Sequence, residues 1–258
     1  MLFLNRPLIN VMEKAINPLS AKMFYEELYS GRIKPSVSIG GISRLVRLGY
    51  REDILCKLWD FPWDLAYPCG CPLKYLSISP EAKILDLGSG VGLNGFYLGA
   101  LHLDKSFVVI NIDIAFSSLV QSKQWIETTE SLHDAEAKFF WICANASSIP
   151  FRLKTFDVVM MNGVFNICTE KEKLLGEVAR VLKPGGILLI SDLFAYKELP
   201  HEISSEQSSW VWCIGGAITE EELNSIAREA GFVSLTFHEQ DPIDNLFYRA
   251  TCSLQLDV

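Results

Sequence analysis

The chain reads as an α/β protein: a doubly wound sheet of seven strands behind a helical N-terminal cap. Three observations predict this. From Ala82 onward, short apolar runs alternate with helical stretches, the pattern of a parallel sheet covered on both faces. The first run passes through Ile84-Leu85-Asp86-Leu87-Gly88-Ser89-Gly90-Val91-Gly92, a buried strand that breaks into a glycine loop and opens a helix. Residues 1–78 instead carry apolar positions at spacings of three and four, punctuated by glycine and proline, which suits short helices.

Composition narrows the function classes. The 258 residues are 49% apolar and 21% charged, enough for an ordinary buried core in one large domain with a cap. A net charge of −8 argues against nucleic acid, whose phosphates need a concentrated positive face. Met1–Leu4 is apolar, but Asn5, Arg6 and Pro7 end the run too early for a secretory segment. No apolar stretch approaches the roughly 20 residues that span a bilayer. Seven cysteines cannot all pair within one chain, so a reducing cytoplasm with free thiols is the expectation, with no membrane partner. Nothing in the sequence sets the oligomeric state.

In the cap, Leu19, Met23, Phe24, Leu28 and Tyr29 predict a helix over Pro18–Tyr29 that Gly31 ends. A second short helix, around Ile42–Leu48, closes at Gly49, and Glu52–Trp59 is a third. The run from Trp59 to Pro72 holds three prolines and a glycine, with two tryptophans, a phenylalanine and a tyrosine, so it is a loop whose rings bury against the core or a ligand. The sheet follows. Its strands are expected at Ala82–Leu87, Phe107–Ile112, Phe139–Cys143, Phe156–Met161, Ile187–Ser191, Phe232–Phe237 and Phe247–Ser253. Helices fall at Leu93–Leu101, after a capping box at Thr169–Glu172, and after a second box at Thr219–Glu222. The turn Lys183-Pro184-Gly185-Gly186 leads into the fifth strand, and residues 193–218 form an insertion that would roof the site.

Two ligands compete for the glycine loop. A pyrophosphate wants G-x-G-x-x-G at a helix N-terminus. Here the spacing is G-x-G-x-G, and Asp86 at the mouth would repel phosphate while attracting a cationic amino-acid end. A glycine turn with no ligand is the third possibility, and a nicotinamide enzyme remains open at this point. Asp113 stands 27 positions after Asp86 (113 − 86), near the spacing of about 20 at which an acidic side chain meets a ribose. Ile114 and Phe116 follow it to flank a base.

The D-x-G-x-G-x-G loop, the Glu177-Val178-Ala179-Arg180-Val181-Leu182 helix and the Lys183–Gly186 turn resemble, in order, the class I S-adenosyl-L-methionine (SAM) methyltransferases, a Rossmann-like group of transferases. The resemblance implies that Gly88, Ser89, Gly90 and Gly92 admit the methionine part of SAM, that Asp86 attracts its ammonium and that Asp113 binds the ribose. Asn145 and Ala146, in a loop that resembles the family's adenine-contacting loop, would meet the adenine, with the amide accepting from its amino group. Asn162 closes the fourth strand beside the same cofactor.

From about Leu48 to Phe232 the chain resembles one branch, the arsenite methyltransferases. Leu48-Gly49-Tyr50, Cys69-Gly70-x-Pro72, Asn162-x-Val164-x-Asn166, Ile190-Ser191-Asp192, Lys197-Glu198-Leu199-Pro200 and Cys213-x-x-Gly216-Ala217 carry the likeness. It implies a small-molecule or metalloid substrate held on Cys69 and Cys213, since trivalent arsenic favours thiolates. Where relatives carry a third cysteine after the fourth strand, this chain has Gly163, and Cys71 or Cys168 would have to fill its place. Cys56, Cys143 and Cys252 read as small buried residues. His102, His133, His201 and His238 lack zinc-site spacing, with His201 a candidate base in the insertion. Two other readings stand: a methyltransferase of an organic acceptor in a pocket lined by Trp59, Trp63, Trp210 and Trp212, and a non-catalytic SAM-binding module. The domain boundary is expected at residues 78/79.

Overall fold

A computed structural model describes residues 21–33 and 41–258. The predicted start of the first helix, Pro18 to Ser20, lies outside these residues. The cap contributes α1 (Ala21–Tyr29), α2 (Ile42–Arg47) and α3 (Glu52–Leu55), the last continuing as a 3-10 turn over Cys56–Leu58. Gly49 ends α2 at φ 94°, a conformation in which a side chain would be strained.

The sheet strands are β1 (Lys83–Leu87), β2 (Val108–Asp113), β3 (Lys138–Cys143), β4 (Phe156–Asn162), β5 (Leu182–Ala195), β6 (Phe232–Pro242) and β7 (Phe247–Leu256). They lie in the order β3-β2-β1-β4-β5-β7-β6, with the first five parallel and β7 antiparallel to both neighbours. The helices α4 (Leu93–Leu101), α5 (Phe116–Thr128), α6 (Lys171–Val181) and α9 (Glu220–Glu229) are joined by two short ones, α7 (His201–Ser204) and α8 (Gln207–Trp210), in the insertion.

Alternation along each strand sends side chains to two cores. Ile84, Val109, Met160 and Leu189 face one with Phe96, Trp125 and the cap residues Leu55 and Leu58. Leu85, Val159, Leu188 and Ile190 face the other with Leu174, Val178 and Leu223 from α6 and α9. The central strands β1 and β4 are therefore buried on both faces, as near-continuous apolar strands require, whereas β3 and β6 at the sheet edges keep many exposed positions.

Three local expectations change. The Lys183–Gly186 turn is kept inside the span of β5: Leu182 pairs with Phe156 and Ile187 with Val158, so residues 183–186 loop out between them with Gly185 at φ 72°. That strand runs on to Ala195, so the insertion begins after it. The first capping box is absent: Glu170, not Thr169, is the N-cap of α6, with no side-chain cap bond. The second box forms as expected, Thr219 and Glu222 exchanging both bonds. Finally, β6 extends to Pro242 because β7 pairs with it along that length.

Candidate active site

The strand order reverses between β1 and β4, and ligands of open α/β sheets bind beyond the carboxyl ends of strands at such a switch point. A cavity of about 770 Å³ lies there, within the range of small-molecule sites. Gly88, Ser89, Gly90, Asp113, Ile114, Asn145, Ala146 and Asn162 all line it.

The glycine loop is shaped by its own packing as well as by the cavity. A Cβ on Gly88 would meet Val164 Cγ2 at 2.2 Å, and one on Gly90 would meet the Tyr29 hydroxyl at 2.7 Å. Gly92 is different from the expectation: it is the N-cap of α4 and does not line the cavity, and its missing Cβ makes room for Ser122 and Phe96.

Asp86 is buried near the end of β1, behind the glycine loop, and does not line the cavity. The adjacent Asn94 accepts at its oxygen from Tyr50 and Asn162. Burial first, and then the Asp113 charge, push the Asp86 carboxyl up to about 8, against a lowering interaction with the Asn94 side chain. The Ser89 hydroxyl is buried and unpartnered. Asp113 closes β2 and accepts from the Gly90 N–H at 2.8 Å and the Ala115 N–H at 2.8 Å, so it braces the glycine loop. Burial raises it to about 6, against those hydrogen bonds. Each of its oxygens keeps a lone pair free for a further donor.

The Asn145 oxygen takes the Ser147 N–H at 2.9 Å and keeps a second lone pair for a donor in the cavity. One assignment needs correction. Asn162 has nothing left to offer a cofactor. Its oxygen accepts from Cys69 N–H (2.7 Å) and Gly70 N–H (3.3 Å), and its NH2 donates to Gly70 O (2.8 Å), Tyr50 Oη (3.2 Å) and Asn94 Oδ1 (3.3 Å). It is a clamp that fixes the Cys69 loop to the end of β4.

That clamp brings the thiols together. Cys69 Sγ, Cys213 Sγ and an Asp192 oxygen lie within 4.8 Å of one another. Cys69 donates to Asp192 Oδ1 at 3.9 Å and Cys213 to the Gly163 carbonyl at 3.3 Å. Cys213 sits at φ 62°, an uncommon left-handed backbone for a side-chain residue, and Asn166 holds its carbonyl at 2.8 Å. The neighbouring Cys69 thiol, burial and Asp192 all keep the Cys213 proton in place. Gly163 borders both cavity and thiols: a Cβ there would stand 3.4 Å from Cys69 Sγ.

Cys71 does not join them. It is packed in the cap-side core, where burial pushes its thiol up to about 12. Cys168 lines the cavity but falls outside the cluster, with its thiol raised to about 11 by burial. Cys252 is buried as expected, whereas Cys56 and Cys143 are exposed. His201 is exposed and not part of the cavity wall. Of the four tryptophans only Trp210 lines the cavity; Trp59 is 73% exposed, and Trp63 packs on Phe61.

Sequence reasoning missed four participants. Asp192 was read only as part of a family pattern. Lys171 is buried behind the thiols, donating to Cys168 O at 2.9 Å, with its ammonium about 5.3 and 5.2 Å from the Phe165 and Trp210 rings. Tyr25 and Tyr29 of α1 close one side: Tyr25 donates to Val211 O at 2.7 Å, and Tyr29 lies on Gly90. Separations of 123 residues between Cys69 and Asp192 and 186 between Tyr25 and Val211 leave no local signal for such neighbours.

Residues 78–231 match the methyltransferase-domain family. The chain belongs to that family. The arsenite methyltransferase of Halobacterium salinarum is 30% identical over 195 residues, 76% of this chain and 48% of that protein. That of Mus musculus is 34% identical over 173 residues, 63% of this chain and 44% of its own length. This methyltransferase-family chain thus spans about half the length of these curated relatives. Its fold is similar to that of CrArsM, an arsenic(III) S-adenosylmethionine methyltransferase from Chlamydomonas reinhardtii. The TM-score is 0.65 at 22% identity, covering 80% of this chain and 73% of that one.

Proposed function

We propose that the chain binds SAM in the cavity and transfers its methyl group to a small acceptor held on Cys69 and Cys213. The observation that carries the reading is the cavity at the switch point, walled by a Gly88–Gly90 loop that admits no Cβ and by Asp113, with the Asp86 carboxyl buried behind that loop. The residues fit the cofactor. Asp86 would attract the ammonium from behind the loop, the Gly88–Gly90 backbone would take the methionine chain, Asp113 the ribose hydroxyls, and Ile114, Asn145 and Ala146 the base. The bound cofactor supplies an electrophilic methyl on a sulfonium that leaves as a neutral thioether. The protein's share of the work is therefore alignment and exclusion of water.

For the acceptor, soft sulfur donors favour a thiophilic centre such as trivalent arsenic. The likeness to arsenite methyltransferases supports this, and Asp192 is placed to take the Cys69 proton when the thiol binds. The test is methylation of arsenite with SAM and a thiol reductant, compared between the wild type, Cys213→Ser and Cys71→Ser. Loss in the first variant and retention in the second is expected. Methylation of an organic thiol or phenol by both variants would favour an organic acceptor instead, and SAM binding without any turnover would favour a binding module.

A further inference from the structure

The methyl-transfer reading gives the carboxylate in the thiol group only the Cys69 proton to take. Cys69 Sγ, Cys213 Sγ and Asp192 present two soft donors and one hard one within 4.8 Å. We propose that these three residues form a binding site for a thiophilic divalent cation, with a fourth position beside Gly163 left to an exchangeable ligand.

The donor set and its support carry the assignment. Zinc takes sulfur at about 2.3 Å and carboxylate oxygen at about 2.0–2.2 Å, so its tetrahedral ligand pairs stand roughly 3.4–3.8 Å apart. The group needs to close by no more than about 1 Å to reach that. Each donor is already oriented from behind, as metal ligands are. Asp192 accepts from the Asn166 N–H at 3.1 Å and the Leu193 N–H at 2.9 Å, and the Cys69 and Cys213 backbones are held by Asn162 and Asn166. Two protons leave on binding, one from each thiol. The complex then carries 2 − 2 − 1 = −1, and the buried Lys171 ammonium, within electrostatic reach of Asp192 and Cys213, offsets that charge. A glycine at residue 163 leaves the fourth position without a competing side chain. Three protein ligands and one open position is the pattern of a working metal site, not a purely structural one.

The test uses the full reduced chain titrated with Cd2+ alone, in a Cys56→Ser/Cys143→Ser background that removes the exposed thiols. One cadmium per chain, a thiolate-to-metal ultraviolet band and two released protons are expected. Cys69→Ser or Cys213→Ser should weaken binding beyond the roughly 10–100-fold typical of losing an outer partner. Asp192→Asn should keep the band and lose about tenfold or more in affinity. Cys71→Ser should change nothing. Retention of the band in a Cys69→Ser/Cys213→Ser double variant overturns the proposal. So does a wild type that takes up no cadmium at micromolar concentration, a result independent of how any variant folds. SAM titration of the same samples keeps the two readings apart, because binding of SAM without binding of cadmium defeats only this one.

Discussion

Replacing Asp86 by asparagine keeps the size and planar shape of the side chain and removes its charge. Burial pushes the Asp86 carboxyl up to about 8 against an ordinary 3.8, which disfavours its ionised form by about 6 kcal/mol. At pH 7 the free protein therefore carries a proton there. An ammonium docking against the carboxyl expels it, so SAM binding is coupled to proton release. Calorimetric titration at pH 7 in two buffers of different ionisation enthalpy measures this directly. The wild type should release close to one proton per cofactor and Asp86→Asn none. Between pH 6 and about 7.5, below the α-amino titration near 7.7–8.0, wild-type affinity should rise by close to tenfold per pH step and the variant's should stay flat. Asp113, at about 6, bends the profile only at the acid end. Stability has the opposite sense. A carboxyl raised in the folded state contributes fully below pH 3.8, and that contribution is lost as pH rises through about 8. Unliganded Asp86→Asn should therefore melt above the wild type at pH 9 and gain nothing at pH 4. Equal proton release by the two proteins would refute the reasoning.

Asn162→Ala removes a side chain that serves five partners, and should cost about 2–4 kcal/mol in urea denaturation while loosening the Cys69 loop. Thiol-dependent methylation should fall in that variant although both thiols remain. Gly163→Cys adds a third thiol beside Cys69 at a backbone of φ 72°; we expect about 1–2 kcal/mol of lost stability together with tighter arsenite binding, read by competition with a dithiol dye. Tyr25→Phe deletes the bond to Val211 and leaves a carbonyl unsatisfied, for about 1 kcal/mol in thermal or urea unfolding. A wild-type midpoint in that variant would mean that α1 is not anchored through its hydroxyl.

The sheet was legible because its central strands are buried on both faces and because β1, β2 and β4 run into Gly88, Asp113 and Gly163 at the ligand side. The seven strand positions follow from that pattern alone, and Asp86 was found by its place before the glycines. Strand limits were harder. Pro184 and two glycines turn as expected, yet the strand starts before them, because Leu182 pairs with Phe156 ahead of the Ile187–Val158 pair. The cysteines mark the boundary of sequence reasoning most clearly. Cys71 is two residues from Cys69 and looked like its partner, but a 3-10 turn starting at Pro72 carries it into the core. Asp192, 123 residues from Cys69, became its neighbour only through the crossover from β4 to β5. Asn162 read as a cofactor ligand because nothing local reveals that its amide is fully spent on a loop from the cap.

The position of β7 has a consequence for how the molecule is made. It is the last strand in chain order, yet it fills an interior slot, pairing along Ile187–Ala195 on one side and with β6 on the other. On a ribosome, β5 therefore waits with a bare edge until the final strand emerges, and the segment bearing Asp192 is exposed to stray pairing throughout that interval. Slowing initiation or lowering temperature during expression should raise the yield of dispersed protein, and synthesis arrested before Phe247 should leave chains that clump.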